Sequence, residues 1–392
     1  MNKAVITTLN HHILLWIYED DLLVECHPLN MNSTLQVGDI YIGRIEKVVK
    51  NIQAAFVKLD KEQVGYLPLD KGFCRVLNRT LPKGLTSIAE NDTVLVQIEQ
   101  EPLKLKQARV TGNISLNGKY VVIDCDGFHS GISKKIKDKK KCEHLLTLLP
   151  KHPKFGYVFR TACESAADSD ILEEVDRLTT QLEDILSKAD YQKNTGCLVK
   201  GKEEYINILS SYGFERFDVI KTDIPEIYDN LVAQKITQAV LYQEEYPLYK
   251  LLGLETEWKH ITSKKVWLKS GGFLVIEPTE AMVVIDVNTG KSIGKKDREK
   301  HTFKINQEAA IEVARQIRLR NLSGIIMVDF INMEQEENKK ALSANLSKQL
   351  AKDKTTSRLI DVTKLELYEI TRKKIRKPIH EIMQQFEQKQ EK

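Results

Sequence analysis

Two short apolar runs, each with one aspartate set into it, anchor the hydrophobic pattern: AMVVIDVNTGK at residues 281–291 and GIIMVDFINM at 324–333. Both are rich in β-branched residues, which predicts buried strands that end in a carboxylate. Strand side chains alternate faces, so Asp286 and Asn288 point one way while Ile285 and Val287 point into the opposite layer. In the second run Met327 and Asp329 share a face and Val328 takes the other. The stretch 297–321 has helical spacing, with Ala310, Val313, Ala314 and Ile317 on one face and Arg315, Arg318 and Arg320 on others. Gly271-Gly272 introduces a hairpin of 273–277 and 282–287 turning at Pro278-Thr279. A helix over 334–352, a strand over 358–362 and a last basic helix over 365–387 complete a β-β-α-β-α-β-α order. That order fits a mixed sheet covered by helices.

Upstream the pattern changes several times. Residues 3–9, 12–18 and 22–27 alternate as a small antiparallel meander. From Val37-Gly38-Asp39 onward, short strands and charged turns run through 40–68, and another strand follows at 93–99. Strands at this spacing suggest a small closed barrel of the oligonucleotide-binding kind. In such a barrel Phe56 and Tyr66 are candidate stacking platforms for bases, with Arg44, Lys47 and Lys106 near the backbone path. Phe56 also lies between Ala55 and Val57, so a core position stays open for it. A strand at 120–124 precedes a dense lysine run, 134–141; most such runs are solvated surface, so by itself it decides nothing. Residues 155–160 form another strand. The helix over 167–189 carries Ile171, Val175, Leu178, Leu182 and Ile185 as a core stripe. Between 196 and 261 a strand-like CLVKG precedes helices at 206–212 and 225–241, a piece that could pair with the first 34 residues.

Composition narrows the class without choosing a function. At 392 residues there is room for two to four domains, and 42% hydrophobic with 29% charged residues is ordinary for a soluble globular protein. The net charge of +4 permits a polyanionic partner without demanding one. Six scattered cysteines with no C-x-x-C pair suit a reducing compartment better than a disulfide framework or a thiolate zinc site. No apolar run reaches membrane-spanning length, so the expectation is a soluble, cytoplasmic protein with no membrane partner.

If the two acidic strands are neighbours, Asp286, Asp329 and the Asn288 amide converge at one sheet end. Two carboxylates that close repel, and a hard divalent cation resolves the conflict. Mg²⁺ uses few protein oxygens and leaves positions open to phosphate. These residues alone equally allow a quieter reading, in which both aspartates cap turns or helices.

Taken in order, AAFV and GYLPL, GISKKI, VFRTA, VIDVN and ARQIRLRNLSGIIMVDFINM resemble the ribonuclease E/G family over nearly the whole chain, up to about Lys374. The resemblance implies an endoribonuclease that acts on single-stranded, AU-rich RNA with Mg²⁺, or Mn²⁺ in its place, in messenger decay or ribosomal RNA maturation. It implies an α+β multidomain fold in four parts. These are an RNase H-like layer (1–34 with 200–261), an oligonucleotide-binding barrel (35–112), a 5′-monophosphate sensor (113–199) and a DNase I-like catalytic layer (262–392). By position in the family's motifs, Asp286 and Asp329 hold the metal, and Asn288 orients one of them and the scissile phosphate. Arg160 and Thr161 match the sensor, Gly118 and Val122 match positions whose backbone closes its pocket, and Arg358 aligns with a sensor-side arginine. Phe56, Tyr66 and Lys106 match the barrel's RNA-contacting positions, with tyrosine in place of the more usual phenylalanine.

The departures carry information too. The best-known members share a zinc ion between subunits through a C-P-x-C segment, whereas TRKKIRKPIHEIMQQFEQKQEK contains no cysteine. Zinc-mediated assembly is therefore not expected, and the oligomeric state stays open, a homodimer through the catalytic layer being one candidate. Lys106 is followed by Gln107 rather than glycine, Asn51-Ile52 replace a glycine before a barrel strand, and Glu366 stands where glycine is common. The rival reading is a non-catalytic RNA-binding factor on the same scaffold. Action on DNA is a weaker one.

Overall fold

The computed structural model describes residues 1–29, 35–70, 74–79, 88–102, 106–125, 127, 130–133, 136, 138–149, 154–192, 194–290 and 298–383. Within it the chain is a mixed α+β protein that divides into two compact units. One is built from Met1–Leu29 and Phe214–Lys392, the other from Asn30–Gly213.

In the first unit the opening meander forms as the alternation predicts, with Lys3–Leu9, His12–Glu19 and Leu22–Leu29 antiparallel. Two short strands extend it in parallel, giving the order Ala239–Leu241, Val219–Thr222, Lys3–Leu9, His12–Glu19, Leu22–Leu29. Here the expectation of one helix over 225–241 is corrected. The helix Pro225–Ala233 stops early and Ala239–Leu241 joins the sheet. Three-residue strands carry too little alternation to be separated from a neighbouring helix by pattern.

The second sheet of this unit has six strands, in the order Lys265–Trp267, Phe273–Pro278, Met282–Asn288, Gly324–Asp329, Leu367–Arg372, Ser357–Val362. The pair Met282–Asn288 and Gly324–Asp329 is parallel, joined by the crossover helix Arg298–Leu319. One sheet face packs Leu274, Ile276, Val283, Ile285, Val287, Ile326 and Val328 against Ala310, Val313 and Ile317 of that helix, and against Leu342 and Leu346 of Glu336–Leu350. Each of the valine, leucine and isoleucine side chains contributes about 1.5–3 kcal/mol by leaving water. The opposite face is the one that carries the aspartates.

The expected helix over 365–387 is overturned. Leu367–Arg372 is a strand antiparallel to both Gly324–Asp329 and Ser357–Val362. Its inward positions are Tyr368, Ile370 and Arg372, and the last of these disguises the alternation. Arg372 is buried because Asp353, 2.7 Å away and equally buried, neutralises it, while Asn321 Oδ1 and the Leu322 carbonyl accept from its Nη1. The turn into this strand places Glu366 at φ 63°, a backbone conformation that favours glycine. Lys339 donates to the Glu366 carboxylate at 2.6 Å, which offsets part of the strain. A glycine at this position would have marked the turn.

The three helix arginines are likewise inward-facing ties. Arg318 pairs with Glu19 at 2.7 Å and Glu25 at 3.2 Å on the meander, and Arg315 donates to the Leu23 carbonyl. Arg320 donates to the carbonyls of Ser263 and His260.

In the second unit five strands close a barrel: Ile40–Val49, Ala54–Lys58, Val64–Pro68, Ala108–Thr111 and Thr93–Gln100, the last pairing back to the first. This is consistent with the oligonucleotide-binding barrel expected. Gly43 and Gly65 lie where a Cβ would strike Val57 and Val110, so the barrel's interior needs them. Before the second strand, the turn Lys50–Ile52 ends with Gln53 at φ 47°, one residue past Asn51-Ile52. A four-stranded sheet follows, ordered Ser115–Asn117, Val121–Asp124, Gly156–Phe159, Ser130–Ile132. The long helix Asp168–Tyr191 lays its predicted stripe against it, and Ile40, Ile42 and Leu95 of the barrel belong to the same core. Lys134, Lys135 and Lys137 of the lysine run lie outside the described residues. Its remainder opens the helix Lys139–Leu148, capped by Asp138. Among the described residues no helix is long and apolar enough to cross a membrane.

Candidate functional site

The acidic pair is placed by strand register. Asp286 and Asp329 are Cα partners at the C-terminal ends of the two parallel strands, on the face away from the helices, and both are exposed. Neighbouring strands lie about 4.8 Å apart, so the two carboxylates meet on one surface. Asn288, two residues beyond Asp286, donates from Nδ2 to Asp286 Oδ2 at 2.7 Å. That bond fixes one carboxylate and leaves the amide oxygen of Asn288 for another contact. Partial burial, and then the neighbouring Asp286 charge, push the Asp329 carboxyl above the usual carboxylate range.

Close backbone packing holds this edge. A Cβ on Gly272 would stand 2.8 Å from the Asn288 carbonyl, and one on Gly290 (φ 70°) would collide with the Gly271 carbonyl. Glu308 accepts from the amides of Lys269 and Ser270 and so pins the loop that leads to the glycine pair. Buried Asn306 grips the main chain just past Asp329, donating to the Ile331 carbonyl and accepting from the Ile331 amide. Sequence reading missed Glu308 and Asn306. The one signal available was a polar residue at a helix position flanking the apolar stripe.

A divalent ion fits this donor set. Two adjacent carboxylates with an unrelieved mutual repulsion and an amide oxygen supply hard ligands, and Mg²⁺ is held by few protein oxygens. Among the described residues there is no group of three or more His, Cys, Asp or Glu that could hold a metal ion. Residues 291–297, which follow the glycine edge, lie outside the described residues.

In the second unit Phe56 and Tyr66 are cross-strand partners, their ring centroids 6.0 Å apart and edge-to-face. Both are half-buried. Lys47 is the cross-strand partner of Phe56, and Arg109 is that of Tyr66. Lys106 is exposed two residues before Ala108, the barrel partner of Gly65.

Arg160 and Thr161 sit where the strand Gly156–Phe159 ends. Arg160 donates from Nη1 to the Gly118 carbonyl and from its amide to the Tyr120 carbonyl, and the Thr161 hydroxyl lies 3.3 Å from that of Ser133. Val122 is the cross-strand partner of Val158 in the same sheet. The turn Gly118–Val121 is held from below by Glu174, whose carboxylate accepts from the amides of Lys119, Tyr120 and Val121 at 2.8, 2.6 and 3.0 Å. A side chain at position 118 would run into that carboxylate, so the glycine is required there. Arg177 lies 3.5 Å from Glu174. Burial lowers the affinity of both Arg160 and Lys202 for their protons, and for Lys202 the neighbouring Arg177 adds to the effect. The Glu174 charge opposes that effect at both Arg160 and Lys202. Glu174, Arg177 and Lys202 escaped the sequence reading, although a glutamate three residues past Ile171 borders the buried stripe. Arg358, exposed on Ser357–Val362, belongs to the first unit.

The sequence pattern of the Ribonuclease E/G family matches residues 115–375. Ribonuclease E of Nostoc sp. is 31% identical over 396 residues, covering 97% of this chain and 57% of that protein. Ribonuclease G of Haemophilus influenzae is 29% identical over 384 residues, covering 94% of this chain and 78% of the relative. Ribonuclease G of Escherichia coli K12 is also 29% identical, over 364 residues, covering 88% and 74%. The chain thus spans little more than half the length of the Nostoc relative. Over two thirds of its length, including the acidic strands and the turn around Arg160, the chain matches one pattern, and it belongs to the ribonuclease E/G family.

Proposed function

We propose that the chain is a metal-dependent endoribonuclease that cuts single-stranded, AU-rich RNA, is stimulated by a 5′ monophosphate, and leaves 5′-phosphate and 3′-hydroxyl ends. The observation that carries the reading is the register pairing of Asp286 with Asp329 beside Asn288, on an exposed sheet face. Names of relatives support the nuclease class, since they are ribonucleases E and G. The strand order of the meander sheet supports an RNase H-like layer, and the six-stranded sheet with helices on one face supports a DNase I-like catalytic layer.

Asp286 and Asp329 would hold a magnesium ion, or manganese in its place. Bound there, such an ion supplies a nucleophile at neutral pH and offsets the charge gained in the transition state. Asn288 keeps the Asp286 carboxylate in one orientation and turns its own amide oxygen toward the site. Phe56 and Tyr66 offer ring faces that only unpaired bases can use, and Lys106 adds a cation beside them. Arg160 and the Thr161 hydroxyl would take the terminal phosphate, supported by the excess positive charge of Arg177 and Lys202 over Glu174. Holding that end positions the strand and raises turnover more than it tightens bulk affinity. Association through the catalytic layer would proceed without a zinc link, in the cytoplasm.

The test is cleavage of a short fluorescent single-stranded RNA with magnesium and with excess chelator. Magnesium-dependent cutting to 5′-phosphate ends is expected. Binding without cutting under either condition would leave only the RNA-binding rival standing.

A further inference from the structure

The face that carries the acidic pair continues across two more strands, and what stands there has no structural need to be exposed. Phe273 is the cross-strand partner of Asn288, and Trp267 is the partner of Phe273. One register step along, Lys265 pairs with Val275, which pairs with Asp286. Directly paired residues share a sheet face, so Trp267, Phe273 and Lys265 stand in the same rows as Asn288, Asp286 and Asp329. Trp267 is 65% exposed, the most open of the large aromatic side chains on this sheet. Its ring centroid lies 5.2 Å from that of Phe273, and the Lys265 ammonium sits 4.0 Å from the indole and 3.7 Å from the phenyl ring.

We propose that Trp267, Phe273 and Lys265 form a base-stacking platform for a nucleotide of the same RNA strand whose scissile phosphate lies at the acidic pair. The platform rests on the nuclease reading given above. Its occupant follows from charge and position. Two aromatic faces interleaved with an ammonium match a base and its phosphate. Phe273 stands in the row next to Asn288, and Trp267 lies two strand spacings, about 10 Å, from it. A duplex would hide the base faces that the indole needs, so the platform selects unpaired RNA from the catalytic side, independently of the barrel. Without a ligand, the lysine over both rings keeps them solvated and apart from other apolar surface. With one, the ammonium is free to swing to the phosphate.

Tryptophan emission reports on this directly, because Trp16 is fully buried and Trp258 half-buried. The full-length Asp329→Asn variant, which binds without cutting, is titrated with a short unstructured oligoribonucleotide. Quenching and protection from iodide are expected, and a duplex of the same sequence should produce neither. Adding Trp267→Ala should remove the signal and weaken binding roughly tenfold. Trp267→Tyr, which keeps a ring, should restore most of the affinity. In otherwise wild-type protein, Trp267→Ala should raise KM more than it lowers kcat. Unchanged affinity together with unchanged iodide access would overturn the platform. So would a change in sedimentation without a change in RNA affinity, which would assign the patch to a protein contact. Quenching by RNA together with a wild-type chain that does not cut that RNA in magnesium would sink the nuclease reading and leave the platform intact.

Discussion

On the six-stranded sheet, two charged pairs a few residues apart are treated in opposite ways. Arg372 and Asp353 are opposite in sign, buried, and joined at 2.7 Å. Asp286 and Asp329 are alike in sign, exposed, and paired only by register. The turn around Gly118 shows a third arrangement, with Arg160, Arg177 and Lys202 in excess over Glu174. Balanced charge ties the fold together at Arg372 and Asp353. On the function proposed above, the unbalanced charge is where a ligand binds, a cation at the aspartates and an anion at the turn.

Breaking a balanced pair should cost the most stability. Asp353→Ala leaves the Arg372 guanidinium buried with only neutral acceptors, and unfolding free energy should fall by about 3–5 kcal/mol in urea denaturation. A change below about 1 kcal/mol would mean that the pair is solvated. At the cationic turn, Arg160→Ala should reduce the preference for monophosphorylated over hydroxyl-ended RNA by roughly ten- to a hundredfold, the worth of a charge-assisted pair of bonds. An unchanged preference in steady-state cleavage would remove the sensor assignment. In the barrel, Phe56→Ala should weaken binding of single-stranded RNA by about 1–3 kcal/mol in anisotropy titrations. If stability falls instead and affinity does not, Phe56 is a core residue.

The smallest effect concerns stability at the unbalanced acids. The Asp329 carboxyl is raised by burial and by Asp286, so the metal-free fold holds that proton more tightly than the unfolded chain does. Its contribution to stability is therefore full at low pH and is lost as pH rises through the raised value. Magnesium should raise Tm by a few degrees above that window and do nothing below it. Asp329→Asn should abolish the magnesium shift.

The site was more legible than the architecture around it. Asp286 and Asn288 could be assigned to one face because they are two residues apart in a β-branched apolar run that reads as a strand, and register then brought Asp329 alongside. The strand Leu367–Arg372 was hidden because an inward arginine breaks the apolar pattern, and because the turn before it uses Glu366 where glycine would have signalled a break. Glu174 was invisible for a different reason. It accepts three amides from a turn more than fifty residues away, and no local pattern encodes such a contact.

The central claim is that the carboxylates of Asp286 and Asp329 do chemistry rather than cap the ends of strands. Its most direct test is the rate at which Asp329→Asn cuts a short single-stranded RNA in magnesium, with binding of the same RNA followed by anisotropy. A rate at least roughly a hundredfold below wild type, with affinity within about twofold, is expected. Cleavage at the wild-type rate would contradict it.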